Sequence, residues 1–223
     1  MITLKKFNYF NFEKVSIILV LLFPFFLVSG PFLSDLAVFI LSIYFFLNYS
    51  KFKFNGLIIF LFIFYFTILI TNIFSFDLII SYEKTIPYIR FLLFVFVFSY
   101  LFEKYHNYQK YFFFIILLVF IILIASSLTI YINEFILHDK TPNRLGLIHR
   151  DEKILGSITI RLIPLLFIAI YFFSKKYESL LFKYLYILLI FGAFFLVILS
   201  GERSALLLLI LFSFLYLIFV NDI

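Results

Sequence analysis

Residues 111–132 read YFFFIILLVFIILIASSLTIYI, a run without one charged side chain. An α-helix rises 1.5 Å per residue, and about 20 apolar residues cross the hydrocarbon layer of a bilayer. This run is long enough to do so, and in that solvent an isolated segment satisfies its own backbone groups only as a helix. It sets the fold class as a helical membrane protein.

Seven further apolar runs surround it, at roughly 15–31, 32–47, 57–76, 86–102, 157–173, 184–200 and 204–220. The expected architecture is an all-α polytopic membrane protein of about eight transmembrane helices, forming a single transmembrane domain over 1–223. Composition agrees, with 65% hydrophobic residues and a mean hydropathy of +1.18. Pro24 breaks the first run and Ser29-Gly30-Pro31 closes it, so the first two spans form a hairpin with almost no loop. Lys5, Lys6 and Lys14 ahead of an apolar run also suit a signal peptide. Pro31 would directly follow the cut, however, and seven more spans come after it, so the first span is read as uncleaved.

Positive charge orients such a chain, because Lys and Arg are retained on the cytoplasmic side. With a cytoplasmic N-terminus, the inner segments carry Lys5, Lys6, Lys14, Lys51, Lys53, Lys104, Lys110, Lys175, Lys176 and Lys183, and no arginine. The outer segments carry Lys84, Lys140 and Lys153 together with all five arginines: Arg90, Arg144, Arg150, Arg161 and Arg203. Half of those outer charges fall in one gap, 133–156, beside Glu134, Asp139, Asp151 and Glu152, which nearly neutralise it. This gap is the longest loop and is placed outside.

Several functions are excluded or left without support. The chain has no cysteine, so it offers no disulfide framework and no thiolate metal site. No His pair at zinc spacing, Gly-rich phosphate loop or nucleophile elbow occurs, and no metal or other cofactor is expected. The net charge of +6 comes largely from lysines between spans rather than from a basic stripe with exposed aromatics, so nucleic acid is not an expected partner. Matching interrupted helices, the mark of many inverted-repeat transporters, are absent from the two halves. Asp35 and Asp77 stand at span ends, where helix capping is the expected role, and His106 is expected at the inner interface.

Topology needs positive charge alone, whereas gripping a phosphate favours the planar fork of a guanidinium. The fourth, sixth and eighth spans, which run inward, each carry an arginine at the expected start: Arg90 after Pro87, Arg161 after Gly156-Ser157, and Arg203 after Ser200-Gly201. A helix N-terminus presents free N–H groups and partial positive charge, so three such ends on one face suit a pyrophosphate. An arginine at a span edge also serves simply as an anchor that reaches the headgroups. Arg161 is the hardest to read that way, since it lies within an apolar stretch where a charge costs a few kcal/mol. Glu202 either pairs with its neighbours or orients one arginine.

Leu199-Ser200-Gly201-Glu202-Arg203-Ser204-Ala205, between two apolar helices, resembles the Ser-x-x-Arg-x-Ala signature of the bacterial O-antigen ligase and polymerase family. The segment Arg150-Asp151-Glu152-Lys153-Ile154-Leu155-Gly156-Ser157, with Arg161 and Pro164 after it, is similar to the outer loop and following helix of family members. Tyr88-Ile89-Arg90-Phe91 resembles the arginine at the start of an earlier helix. The resemblance implies an inner-membrane glycosyltransferase that moves a glycan from undecaprenyl pyrophosphate to lipid A-core or to another glycan acceptor on the periplasmic face. It implies a catalytic role for Arg203 and substrate contacts for Arg90, Arg161, Arg150 and Glu202, without a metal. The family has about twelve spans and a large outer loop with a functional histidine after the signature. The chain is therefore expected to be the N-terminal part of a larger fold, and neither His138 nor His149 takes that histidine's place. A transporter or flippase of lipid-linked glycans, or a non-catalytic membrane subunit, is the alternative.

Overall fold

The computed structural model describes residues 2–52, 56–133, 155–174 and 180–221. Among them every regular element is helical: α1 (Ile2–Ser29), α2 (Pro31–Leu47), α3 (Gly56–Thr71), α4 (Leu78–Thr85), α5 (Ile89–Lys104), α6 (His106–Ile132), α7 (Leu155–Ser174), α8 (Leu180–Ser200) and α9 (Arg203–Asn221). Short 3-10 turns occupy Tyr49–Lys51, Asn72–Phe74 and Ile86–Tyr88. From 134 to 154 the expected outer loop lies outside the described residues, as do Arg150, His138 and His149. Leu155 and Gly156, assigned to that loop by sequence, are already helical.

Four stretches are long and apolar enough to cross a membrane: Phe12–Ser29, Leu78–Lys104, His106–Ile132 and Leu155–Phe173. Four shorter apolar segments, Pro31–Leu47, Ile58–Phe74, Tyr184–Ser200 and Arg203–Leu215, match the remaining expected runs in position but fall short in length. The expectation of eight spans thus resolves into four full-length candidates and four shorter apolar helices. Their outer surfaces are apolar: Phe32, Phe60, Phe64, Phe191, Leu207 and Phe214 all stand exposed. In water, so extensive an exposed apolar surface would drive association, whereas lipid tails are its natural neighbour. The chain has the character of a multi-pass membrane protein.

Two compact units divide the chain, Met1–Gln109 and Lys110–Ile223. In the first, α2 packs against both α1 and α5. Its core joins Leu41 and Tyr44 of α2 to Phe96, Val97 and Leu101 of α5, with Val20 of α1. Gly30 turns α1 into α2 at φ +128, a backbone state that favours glycine, and Pro31 then opens α2. The expected hairpin is present.

One end of this unit ties α1 to α5. Glu13 accepts hydrogen bonds from Lys104 Nζ and, at 3.0 Å, from Tyr105 Oη. Burial and the bond to Glu13 push the Tyr105 phenol up from its ordinary pKa. At the opposite end, Arg90 Nη2 donates to Asp35 Oδ2 at 3.1 Å, joining α2 to α5. Lysine and arginine therefore mark opposite ends of α5.

In the second unit, α7 packs on α8 and α9. Leu155, Leu162, Ile163 and Leu166 of α7, Leu189 and Leu196 of α8, and Ala205 and Leu209 of α9 are all buried. Helix α6 joins them through Phe113, whose ring lies 4.8 Å from that of Phe172, and through Ile124, which closes over Gly192.

Candidate functional site

The expected arginine positions separate into two local settings. Arg90 belongs to the first unit, Arg161 and Arg203 to the second.

Arg90 stands in the first turn of α5, yet that turn is not a free helix end. The 3-10 turn Ile86–Tyr88 joins it to α4, and the Ile89 N–H already bonds Ile86 and Pro87 carbonyls. The open N-terminus of this stretch is at Leu78, where Asp77 Oδ1 accepts from Ile80 N at 3.1 Å. Asp77 is a cap as expected. Asp35 is not: α2 has no side-chain cap, and the Asp35 carboxylate instead holds Arg90. The guanidinium also lies over Phe91, 5.1 Å from the ring centre, and its Nε is buried without a partner among the described residues. Ser42 Oγ, 2.8 Å from Val38 O, lies 3.2 Å from Arg90 O and fixes the backbone there.

Arg203 is the first residue of α9. The turn before it is built by Gly201, whose φ of +65 is the left-handed state that ends α8. Gly201 N bonds Ile198 O, and Leu206 N reaches back to Glu202 O, so Glu202 is the backbone cap of α9. Ser200 is buried, its Oγ donating to Val197 O at 2.7 Å and lying 3.3 Å from Glu202 N.

The carboxylate of Glu202 points to α7. Its Oε1 accepts from Gly156 N at 3.2 Å and its Oε2 from Ser157 Oγ at 2.7 Å. A carboxylate is favoured at that position, because the first turn of a helix leaves N–H groups unbonded and carries partial positive charge. The sequence placed a cap for α7 at Gly156-Ser157; the structure puts both residues inside the first turn and supplies the capping acceptor from 45 residues downstream. Gly156 is what permits the approach. A methyl group added there would lie well inside contact distance of Ser200 Oγ and 3.1 Å from the Glu202 carboxyl carbon.

Arg161 lies deeper in α7 than expected, the seventh residue of the helix rather than its opening. It is exposed, on a face whose next-turn neighbour toward the N-terminus is Ser157. Ser157 bonds Glu202, so Arg161 stands one turn along α7 from the clasped carboxylate, about 6 Å of rise. Arg203, also exposed, directly follows that carboxylate in sequence. Neither Arg161 nor Arg203 has an acidic partner within salt-bridge distance among the described residues. Of the two roles left open for Glu202, pairing with an arginine is not the one its oxygens adopt.

The sequence missed Asp35 as the partner of Arg90 and Glu202 as the cap of α7. It also missed Glu13, whose two donors lie beyond residue 100. No local spacing signals any of these contacts. No family model, curated protein or solved structure matches the chain.

Proposed function

We propose that the chain is part of an inner-membrane glycosyltransferase of the O-antigen ligase and polymerase type, acting on an undecaprenyl-pyrophosphate-linked glycan at the periplasmic face. The observation that supports this most is the pair of exposed guanidiniums, Arg203 and Arg161, beside a turn whose own carboxylate is engaged elsewhere. Two cations without an acidic partner among the described residues, at one end of a helical unit, suit a doubly charged leaving group.

In the proposed reaction a base takes the proton of an acceptor hydroxyl, and that oxygen bonds to the anomeric carbon of the donor. The bond from that carbon to the pyrophosphate oxygen breaks, and undecaprenyl pyrophosphate leaves with the electron pair. Arg203 and Arg161 stabilise the charge that develops on the leaving oxygens, the role of fixed donors in a site that needs no metal. Arg90 and Arg150 are assigned further substrate contacts by the resemblance alone. The acceptor is lipid A-core for a ligase and a second lipid-linked glycan for a polymerase.

The test is Arg203→Lys in the full-length protein, which keeps the charge but loses the bidentate fork. Transfer from undecaprenyl-pyrophosphate-linked glycan is expected to fall by about 10² to 10³, the usual consequence of removing a transition-state donor, with membrane insertion unchanged. Turnover near wild type would make Arg203 a headgroup anchor and remove the catalytic assignment.

A further inference from the structure

We infer that Glu202 is a positioning residue: it holds the first turn of α7 against the α8–α9 turn, so that the bearing of Arg161 relative to Arg203 is fixed before any substrate arrives. The inference rests on the proposed function and changes the role the resemblance gives to Glu202, from substrate contact to internal clasp.

Four observations converge on this. Both carboxylate oxygens are engaged, one by a backbone N–H and one by a hydroxyl, so no oxygen is left without a protein donor. The turn is seated on α7 without room to spare, because a Cβ at Gly156 would collide with Ser200. Ser200 is buried and bonded within its own turn, and Gly201 takes the left-handed backbone state between α8 and Glu202. Arg203 follows as the first residue of α9, so whatever fixes Glu202 also fixes the start of the helix that carries it. A misplacement of about 1 Å between reacting groups costs on the order of 10²-fold in rate, which is the scale on which such a clasp matters.

The bonding pattern separates a positioning role from an electrostatic one. Glutamine at 202 retains a carbonyl acceptor for Gly156 N and an amide that Ser157 Oγ can accept from, but has no charge. Alanine retains neither. If Glu202 acted through its charge on substrate or on the arginines, Glu202→Gln and Glu202→Ala would be equally impaired.

The experiment uses the full-length protein in lipid nanodiscs, with two readouts on wild type, Glu202→Gln, Glu202→Ala and Ser157→Ala. Hydrogen exchange follows the peptide that contains Gly156 and Ser157, and steady-state transfer follows kcat and KM for the lipid-pyrophosphate donor. Glu202→Ala is expected to lower amide protection in the first turn of α7 by about tenfold, the equivalent of one lost hydrogen bond. The same variant is expected to lose kcat by one to two orders of magnitude, as for misplaced groups. Glu202→Gln is expected to restore most of both, and Ser157→Ala to fall between. Unchanged exchange in Glu202→Ala would overturn the clasp. Altered exchange with unaltered kcat would overturn the positioning role, and equal losses in the Gln and Ala variants would assign Glu202 an electrostatic one. A wild-type protein that neither binds nor transfers the donor would instead defeat the proposed function, with the exchange data still deciding whether the clasp exists.

Discussion

Arg90 and Asp35, 55 residues apart, meet through a 3.1 Å contact between Nη2 and Oδ2 that fastens the N-terminal part of α2 to the first turn of α5. The contact is single rather than bidentate, and both side chains keep access to their surroundings. A partly exposed single contact of this kind contributes about 0.2–1 kcal/mol. Arg90→Gln and Asp35→Asn should each lower stability by an amount of that order, read as helix loss by circular dichroism on heating in detergent. Exchanging the charges, Asp35→Arg with Arg90→Asp, should recover most of the loss. No recovery would show that the two residues stabilise the unit independently.

Topology is open to direct labelling, because the chain has no native cysteine to give background. Ser50 and Tyr108 are exposed at the lysine-bearing end of the first unit, and Lys84 is exposed in α4 ahead of Arg90. Single cysteines at Ser50 and Tyr108 should resist an impermeant thiol reagent in intact cells, while one at Lys84 should react. The reverse pattern would put the arginines in the cytoplasm and end the periplasmic assignment.

Much of the helical framework was legible in the sequence, since uncharged runs of Phe, Leu and Ile leave a chain in lipid no other option. The start of the fourth span was not. Leu78–Thr85 carries Glu83 and Lys84, which interrupt the apolar signal, so Pro87 looked like a helix opening although Asp77 caps the stretch ten residues earlier. Of the three arginines expected at helix starts only Arg203 opens its helix, since Arg90 follows a turn that joins it to α4 and Arg161 is the seventh residue of α7. Glu202 stands next to Arg203 in sequence, so local reasoning pairs the two, yet its oxygens bond Gly156 and Ser157. Contacts of such long sequence separation follow from packing, which residue spacing does not encode.

Two glycines should respond oppositely to alanine. Gly156→Ala drives a methyl group into Ser200 and the Glu202 carboxyl and should destabilise the second unit by about 1–3 kcal/mol, as overpacking does. Gly56, at the start of α3, has open space around its Cβ position, so Gly56→Ala should be neutral or stabilising by up to about 1 kcal/mol. Thermal melts of both variants check this. Equal behaviour would mean that the packing at Gly156 is looser than described.

Arg161 sits among apolar neighbours in α7 and is exposed. Arg161→Gln should therefore leave insertion intact and weaken retention of a lipid pyrophosphate by about 2 kcal/mol, the scale of a hydrogen bond between charged groups. Binding of undecaprenyl pyrophosphate to the purified full-length variant, compared with undecaprenyl phosphate, measures it. An unchanged preference for the pyrophosphate would release Arg161 from the site.

Helix length adds a requirement on the surrounding lipid. In the first unit α2 and α3 have 17 and 16 residues, which rise about 24–26 Å. The apolar stretches Leu78–Lys104 and His106–Ile132 have 27 residues each and rise about 40 Å. A hydrocarbon layer of about 30 Å overreaches the two short helices and is exceeded by the two long stretches. Lipid beside a short helix must thin or the helix must draw polar residues inward, whereas a long stretch tilts, each at a fraction of a kcal/mol per ångström of mismatch. Acyl-chain length is thus a variable that the short and the long helices of this chain answer in opposite directions.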